Sequence, residues 1–182
     1  MERAKQSLSY VVPLTLAIII FLLYLNFRSL AQVAMLMGAL PLALAGSVWL
    51  LYLLDFNFSV AVAVGAIALA GIAVETGVIM LVYLDQSYQQ LLKEVADKSI
   101  SLNRASLKDA VFSGAGLRVR PVLMTAAATI VGLLPILYGE GTGSEIMSRL
   151  AAPMVGGMIS SVLLTLLVLP CLYLLWRQRG IK

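Results

Sequence analysis

Glu75 is the residue on which chemistry could turn. It interrupts an otherwise uncharged run at 56–84, and a helix over 60–84 puts it about nine residues, or roughly 14 Å, from one end of the span, near mid-membrane. A carboxylate at that depth costs about 2.5–3.5 kcal/mol on insertion scales, so it must face protein or water, and it is a candidate proton site. The alternative is a protonated glutamic acid hydrogen-bonded to a neighbouring helix. Thr125 and Thr129 lie one turn apart on another apolar run and offer hydroxyls to a relay. Counted from Arg120, Thr125 is about 7 Å deep and Thr129 about 13 Å, so depth alone favours Thr129. The alternative for both is a hydroxyl bonded to its own helix backbone. Met147, Met154 and Met158 are spaced to share one helix face. Thioethers are soft ligands that suit monovalent copper, although methionine is also an ordinary packing residue. Cys171 reads as a small buried apolar side chain.

What is absent narrows the chemistry further. The chain has no His and one Cys, so a Ser-His or Cys-His dyad, a His-ligated zinc and an internal disulfide are all excluded. An intramembrane hydrolase is correspondingly weak, because no nucleophile has a plausible base. Residues 85–98 carry no phosphate-binding glycine pattern, so nothing points to a nucleotide, and no cofactor is expected.

These residues must be positioned by membrane helices. The sequence is 61% hydrophobic and 12% charged, where a soluble domain is about 25% charged. Apolar stretches cover 6–27, 29–54, 56–84, 121–139 and 150–176, each near the roughly 20 residues that cross a bilayer. They are continuously apolar rather than alternating, which argues against barrel strands. The expected fold is an all-α integral membrane protein with five spans at about 8–27, 31–54, 60–84, 121–138 and 149–176, and a cytoplasmic loop at 85–120. Within that loop, Leu91, Leu92, Val95, Leu102, Ala105, Leu107, Val111 and Phe112 recur at helical spacing among charges of both signs. They predict an amphipathic helix on the membrane surface, broken near Ser99 to Ser101.

Lys and Arg set the orientation. Arg28, Lys93, Lys98, Arg104, Lys108, Arg118, Arg120, Arg177, Arg179 and Lys182 fall on one side, against Arg3, Lys5 and Arg149 on the other. The first group belongs in the cytoplasm with the C-terminus, and the N-terminus lies outside. The net charge of +4 is therefore a topology signal rather than a nucleic-acid footprint. An odd number of spans that starts outside, with no secretory signal ahead of it, leads us to expect a preceding part of the same chain, the alternative being a complete five-span protein with a translocated N-terminus.

Ala39, Ala43 and Ser47, then Ala73 and Gly77, then Ala152, Gly156 and Ser160 recur every four residues and predict close helix approaches. Tyr10, Trp49, Tyr52, Phe56, Phe58 and Tyr138 on the outer side, and Tyr24, Phe27, Tyr83, Tyr173 and Trp176 on the inner side, read as two interfacial belts. Pro13, Pro41, Pro135, Pro153 and Pro170 imply bends.

Linear motifs add a resemblance. The run Leu117-Arg118-Val119-Arg120-Pro121-Val122-Leu123-Met124-Thr125, then Gly132-Leu133-Leu134-Pro135, Gly141-Thr142-Gly143-Ser144-Glu145, and Ala152-Pro153-Met154-Val155-Gly156-Gly157-Met158 resembles the C-terminal membrane region of resistance-nodulation-division (RND) efflux pumps. Val11-Val12-Pro13-Leu14-Thr15 and Tyr24-Leu25-Asn26-Phe27-Arg28-Ser29 resemble its heavy-metal efflux branch, copper/silver type. The likeness covers the whole chain, as the last five of twelve spans of an RND transmembrane domain.

That resemblance implies a secondary active transporter rather than an enzyme. It implies efflux of Cu(I) or Ag(I) by proton antiport in a bacterial inner membrane, with the N-terminus of this chain periplasmic. Glu75, in Gly71-Ile72-Ala73-Val74-Glu75, matches the position of a charged proton-relay residue. Thr125 matches the relay threonine, which moves the assignment from Thr129. Met147 matches a methionine that hands on monovalent metal. Some copper and silver pumps carry a lysine where this chain has Val122, so either the relay runs without that cation or the substrate branch differs. The implied partners are the N-terminal part of the same pump, two further copies in a homotrimer, periplasmic adaptor and outer-membrane channel proteins, and the lipid bilayer. Alternatives are a Zn/Co/Cd or multidrug member of the family, or a non-transporting membrane scaffold.

Overall fold

The computed structural model describes residues 2–98, 104–139, 141 and 143–178. Its elements are α1 (Glu2–Phe27), α2 (Leu30–Leu53), α3 (Val60–Lys98), α4 (Arg104–Tyr138), α5 (Ser144–Leu163), a π-helical segment (Leu164–Val168) and α6 (Leu169–Gln178). Five stretches are long and apolar enough to cross a membrane, the last built from α5, the π-helical segment and α6 together. The all-α membrane class expected from the sequence is the class observed.

The short connections are closed by left-handed residues. Arg28 (φ 50°) follows α1 and Asp55 (φ 53°) follows α2. After α2 the Phe56 N–H reaches back to the Leu51 carbonyl at 3.0 Å, the pattern that terminates a helix in a Schellman turn.

By contact the chain divides into residues 1–35 and 36–182. In the first unit α1 is apolar with most of its described side chains exposed, and the Thr15 hydroxyl donates to the Val11 and Val12 carbonyls beside Pro13.

In the second unit the expected small-residue seam forms between α2 and α5. The Ser160 hydroxyl donates to the Ala43 carbonyl and the Ser47 hydroxyl to the Pro153 carbonyl, both at 2.7 Å. Backbone approach is close enough that a Cβ on Gly156 would stand 2.6 Å from the Gly46 carbonyl oxygen and 2.6 Å from the Leu50 Cβ. With little hydrophobic drive between helices in lipid, such packing and interhelical hydrogen bonds hold the seam.

The cytoplasmic helix expected between the third and fourth spans is present as extensions of the spans themselves. Rather than lying on the membrane as a separate element, residues 85–98 continue α3 and residues 104–120 continue α4. Part of the apolar stripe is covered by protein: Leu107 and Val111 are buried, Leu91, Leu92 and Val95 are half-buried, and Ala105 and Phe112 stay exposed. Gly114 comes so near α3 that a Cβ there would lie 2.6 Å from the Ser87 hydroxyl oxygen and 3.1 Å from the Tyr83 carbonyl. The predicted break near Ser99 to Ser101 lies outside the described residues.

Two single-residue expectations are corrected. Cys171 is exposed rather than buried. Tyr173 is fully buried instead of standing in the inner aromatic belt. Its hydroxyl donates to the Asp85 Oδ1 of α3 at 2.9 Å and accepts from the Arg177 Nε at 3.2 Å, while an Arg177 terminal nitrogen reaches the same Asp85 oxygen at 2.8 Å. A polar partner drew the ring inward.

The π-helical segment has a local cause. Pro170 has no N–H to give the Leu166 carbonyl and its ring crowds that turn, so the ladder widens, and the Leu169 N–H bonds to Leu164, five residues back.

Candidate functional site

Glu75 opens into a cavity of about 300 Å³ between α3 and α4. The α3 wall is Ile72, Glu75, Thr76 and Ile79, and the α4 wall is Arg118, Pro121, Val122, Thr125 and Thr129. Each set recurs at three- and four-residue intervals, so each is one helix face. The walls are mixed: aliphatic side chains, three hydroxyls, one carboxylate and one guanidinium. The structure thus brings Glu75, Thr125 and Thr129 together. Since both threonines line the same space, the depth argument for Thr129 and the motif argument for Thr125 select neighbours on one wall.

Hydroxyl protons here are committed to the backbone. Thr125 donates to the Pro121 and Val122 carbonyls at 3.1 Å, Thr129 to the Thr125 carbonyl at 2.8 Å, and Thr76 to the Ile72 carbonyl at 2.8 Å. What these groups present to the cavity is acceptor oxygen. Pro121 lies inside α4 and, lacking an N–H, leaves a carbonyl one turn earlier without its helical donor. Glu75 is exposed on the surface of this chain, and no described residue forms an ion pair with it.

Charge alone places Arg118 in the cytoplasmic loop, and the structure makes it part of the candidate site. Because α4 starts at Arg104, Arg118 lies well inside the helix, one turn below Val122. Its guanidinium stacks over the Tyr83 ring at 4.2 Å, and its Nε is buried without a hydrogen-bond partner among the described residues. The signal in the sequence was spacing: Arg118, Pro121, Val122 and Thr125 share the i, i+3, i+4, i+7 register.

A smaller pocket of about 30 Å³ adjoins the cavity. It shares Ile72, Thr76, Val122, Thr125 and Thr129 with it and adds Ala126, Met158, Ser161 and Val162. Met147 lines neither space. It stands exposed in the first turn of α5, whereas Met158, three turns on, is buried. The described residues contain no cluster of three His, Cys, Asp or Glu that would hold a metal.

Five apolar membrane-length helices, with a cavity of mixed polarity between two of them, define a multi-pass membrane protein. The chain belongs to the AcrB/AcrD/AcrF family, whose model matches residues 1–177. It is 47% identical over 180 residues to the cation efflux system protein CusA of Escherichia coli K12, an alignment covering 98% of this chain and 17% of that protein. It is 37% identical over 179 residues to the cobalt-zinc-cadmium resistance protein CzcA of Cupriavidus metallidurans, covering 98% of this chain and 16% of that one. Among solved structures, a heavy metal efflux pump superposes with a TM-score of 0.81 at 38% identity, over 97% of this chain and 16% of the pump. The chain therefore spans about one sixth of the length of the proteins it matches.

Proposed function

We propose that this chain acts as the C-terminal membrane portion of a longer, proton-driven heavy-metal exporter whose substrates are Cu(I) and Ag(I). The observation that carries this reading is the single cavity shared by Glu75, Thr125, Thr129 and Arg118. Glu75 is the only acid within the five apolar runs of the sequence, and in the cavity it meets acceptor hydroxyls and a fixed cation, the components a proton carrier needs. In this reading Glu75 takes up and releases the proton, and Thr125 and Thr129 orient cavity water by accepting its hydrogen bonds. Arg118 holds positive charge at the cytoplasmic end. Exposure of Glu75 on this chain suits a helix face completed by the rest of the pump.

The substrate assignment rests on two supports. Identity is higher to the cation efflux protein CusA than to the cobalt-zinc-cadmium protein CzcA. Met147 supplies a soft, exposed thioether at the start of α5, suited to passing a monovalent metal along. The assembly is a homotrimer in a bacterial inner membrane, working with a periplasmic adaptor and an outer-membrane channel. The N-terminus of this chain is periplasmic and its C-terminus cytoplasmic, following the distribution of Lys and Arg.

Metal flux into proteoliposomes containing the full-length pump tests the substrate. Silver(I) should be transported and zinc(II) should not, and Met147→Leu should slow silver flux without loss of protein. Zinc transport with silver excluded overturns the assignment.

A further inference from the structure

We propose that the pocket lined by Thr76, Thr125, Thr129 and Ser161 is a binding site for one water molecule, with Ser161 as its anchoring donor. The pocket lies among α3, α4 and α5.

Size and polarity agree on the ligand. A volume of about 30 Å³ admits one water and excludes an organic molecule. Thr76, Thr125 and Thr129 each spend their proton on their own helix, so each offers only lone pairs to the pocket. Ser161 is the complement. It is 4% exposed, lines the pocket, and its hydroxyl makes no hydrogen bond with any described residue. Its oxygen is open to the pocket rather than sealed in apolar packing, so a water there can reach it. A water resolves the mismatch by accepting from Ser161 and donating to two of the threonines, which gives it three partners. No carboxylate or guanidinium lines the pocket, so an ion would go uncompensated. One thioether, from Met158, is too few for a soft metal. The ligand is neutral and both donates and accepts.

Because this pocket and the Glu75 cavity share Thr76, Thr125 and Thr129, the water is the inner end of the hydrated space around Glu75. That functional consequence rests on the proton-carrier reading, while the water site rests on the pocket alone.

Hydroxyl-radical footprinting of the full-length pump in lipid nanodiscs reads the site through Met158, which is buried yet lines the pocket and reacts rapidly with radicals formed from adjacent water. Labelling of Met158 is expected in the unaltered protein, and its loss in Ser161→Ala. The near-isosteric Thr129→Val removes an acceptor and should also reduce labelling, which keeps the test alive if Ser161→Ala does not assemble. Glu75→Gln should leave Met158 labelling intact while stopping proton-coupled flux, so failure of the water site and failure of the Glu75 reading give different results. An unlabelled Met158 in the unaltered protein, or undiminished labelling in Ser161→Ala, overturns the proposal.

Discussion

Arg118 stacks its guanidinium 4.2 Å from the centre of the Tyr83 ring, joining α4 to α3 at the cavity that also holds Glu75. The contact is specific to a planar cation. Arg118→Lys keeps the charge but not the flat, weakly hydrated face. Unfolding of the full-length protein in mixed micelles should show a loss of about 1 kcal/mol for this variant, in the range of a partly desolvated cation–π pair. Equal stability of the lysine variant would mean that the stacking contributes nothing.

Between α3 and the C-terminal end of α6, Asp85 and Arg177 form a partly exposed ion pair whose cation also lies 4.1 Å from the Tyr88 ring and 4.5 Å from the Trp176 ring. An exposed pair alone contributes about 0–1 kcal/mol. A double-mutant cycle with Asp85→Asn and Arg177→Gln should therefore give a coupling energy near 1 kcal/mol. Arg177→Gln alone should cost more than Asp85→Asn, because only the arginine also loses its aromatic partners.

Helix proximity makes a paired prediction about glycine. Gly156→Ala places a methyl against the Gly46 carbonyl and Leu50 and should destabilise by about 1–3 kcal/mol. Gly132→Ala meets nothing within 4 Å in α4, and should be neutral or stabilising by up to about 1 kcal/mol from helix propensity alone. Thermal unfolding of the two variants side by side measures the difference.

Much of this is legible in the sequence itself. The five spans and the seam of Ala43, Ser47, Gly156 and Ser160 follow from charge-free runs and four-residue spacing, signals that survive because lipid gives helices few other ways to associate. The long extensions of α3 and α4 were not legible. An apolar stripe such as Leu107 and Val111 reads the same whether lipid or a partner helix covers it. Nor could composition show that Tyr173 turns inward, since its partners Asp85 and Arg177 lie far apart in sequence and meet only in the fold. Glu75 stands out by type and depth and Thr125 only by its motif, since depth favours Thr129, whereas Arg118, a cation beside a membrane span, reads first as a topology signal. Met147 and Met158 share a helical register, but one stands at the exposed start of α5 and the other in its packed middle.

Orientation gives a labelling experiment. In a full-length pump with Cys171→Ser, a cysteine introduced at Ser106 should be shielded from a membrane-impermeant thiol reagent added to the periplasm. One introduced at Ser144 should react. The reverse pattern contradicts the distribution of Lys and Arg as a guide to sidedness.

Glu75→Gln is the most direct test of the central claim. The amide keeps the shape of the side chain and cannot exchange a proton. In proteoliposomes with an imposed pH gradient, the full-length pump should move silver(I) in exchange for protons. The Glu75→Gln variant, matched for expression and trimer assembly, should show no proton-coupled flux, with Thr125→Ala retaining a reduced rate. Undiminished proton-coupled flux in the Gln variant would remove Glu75 from the mechanism.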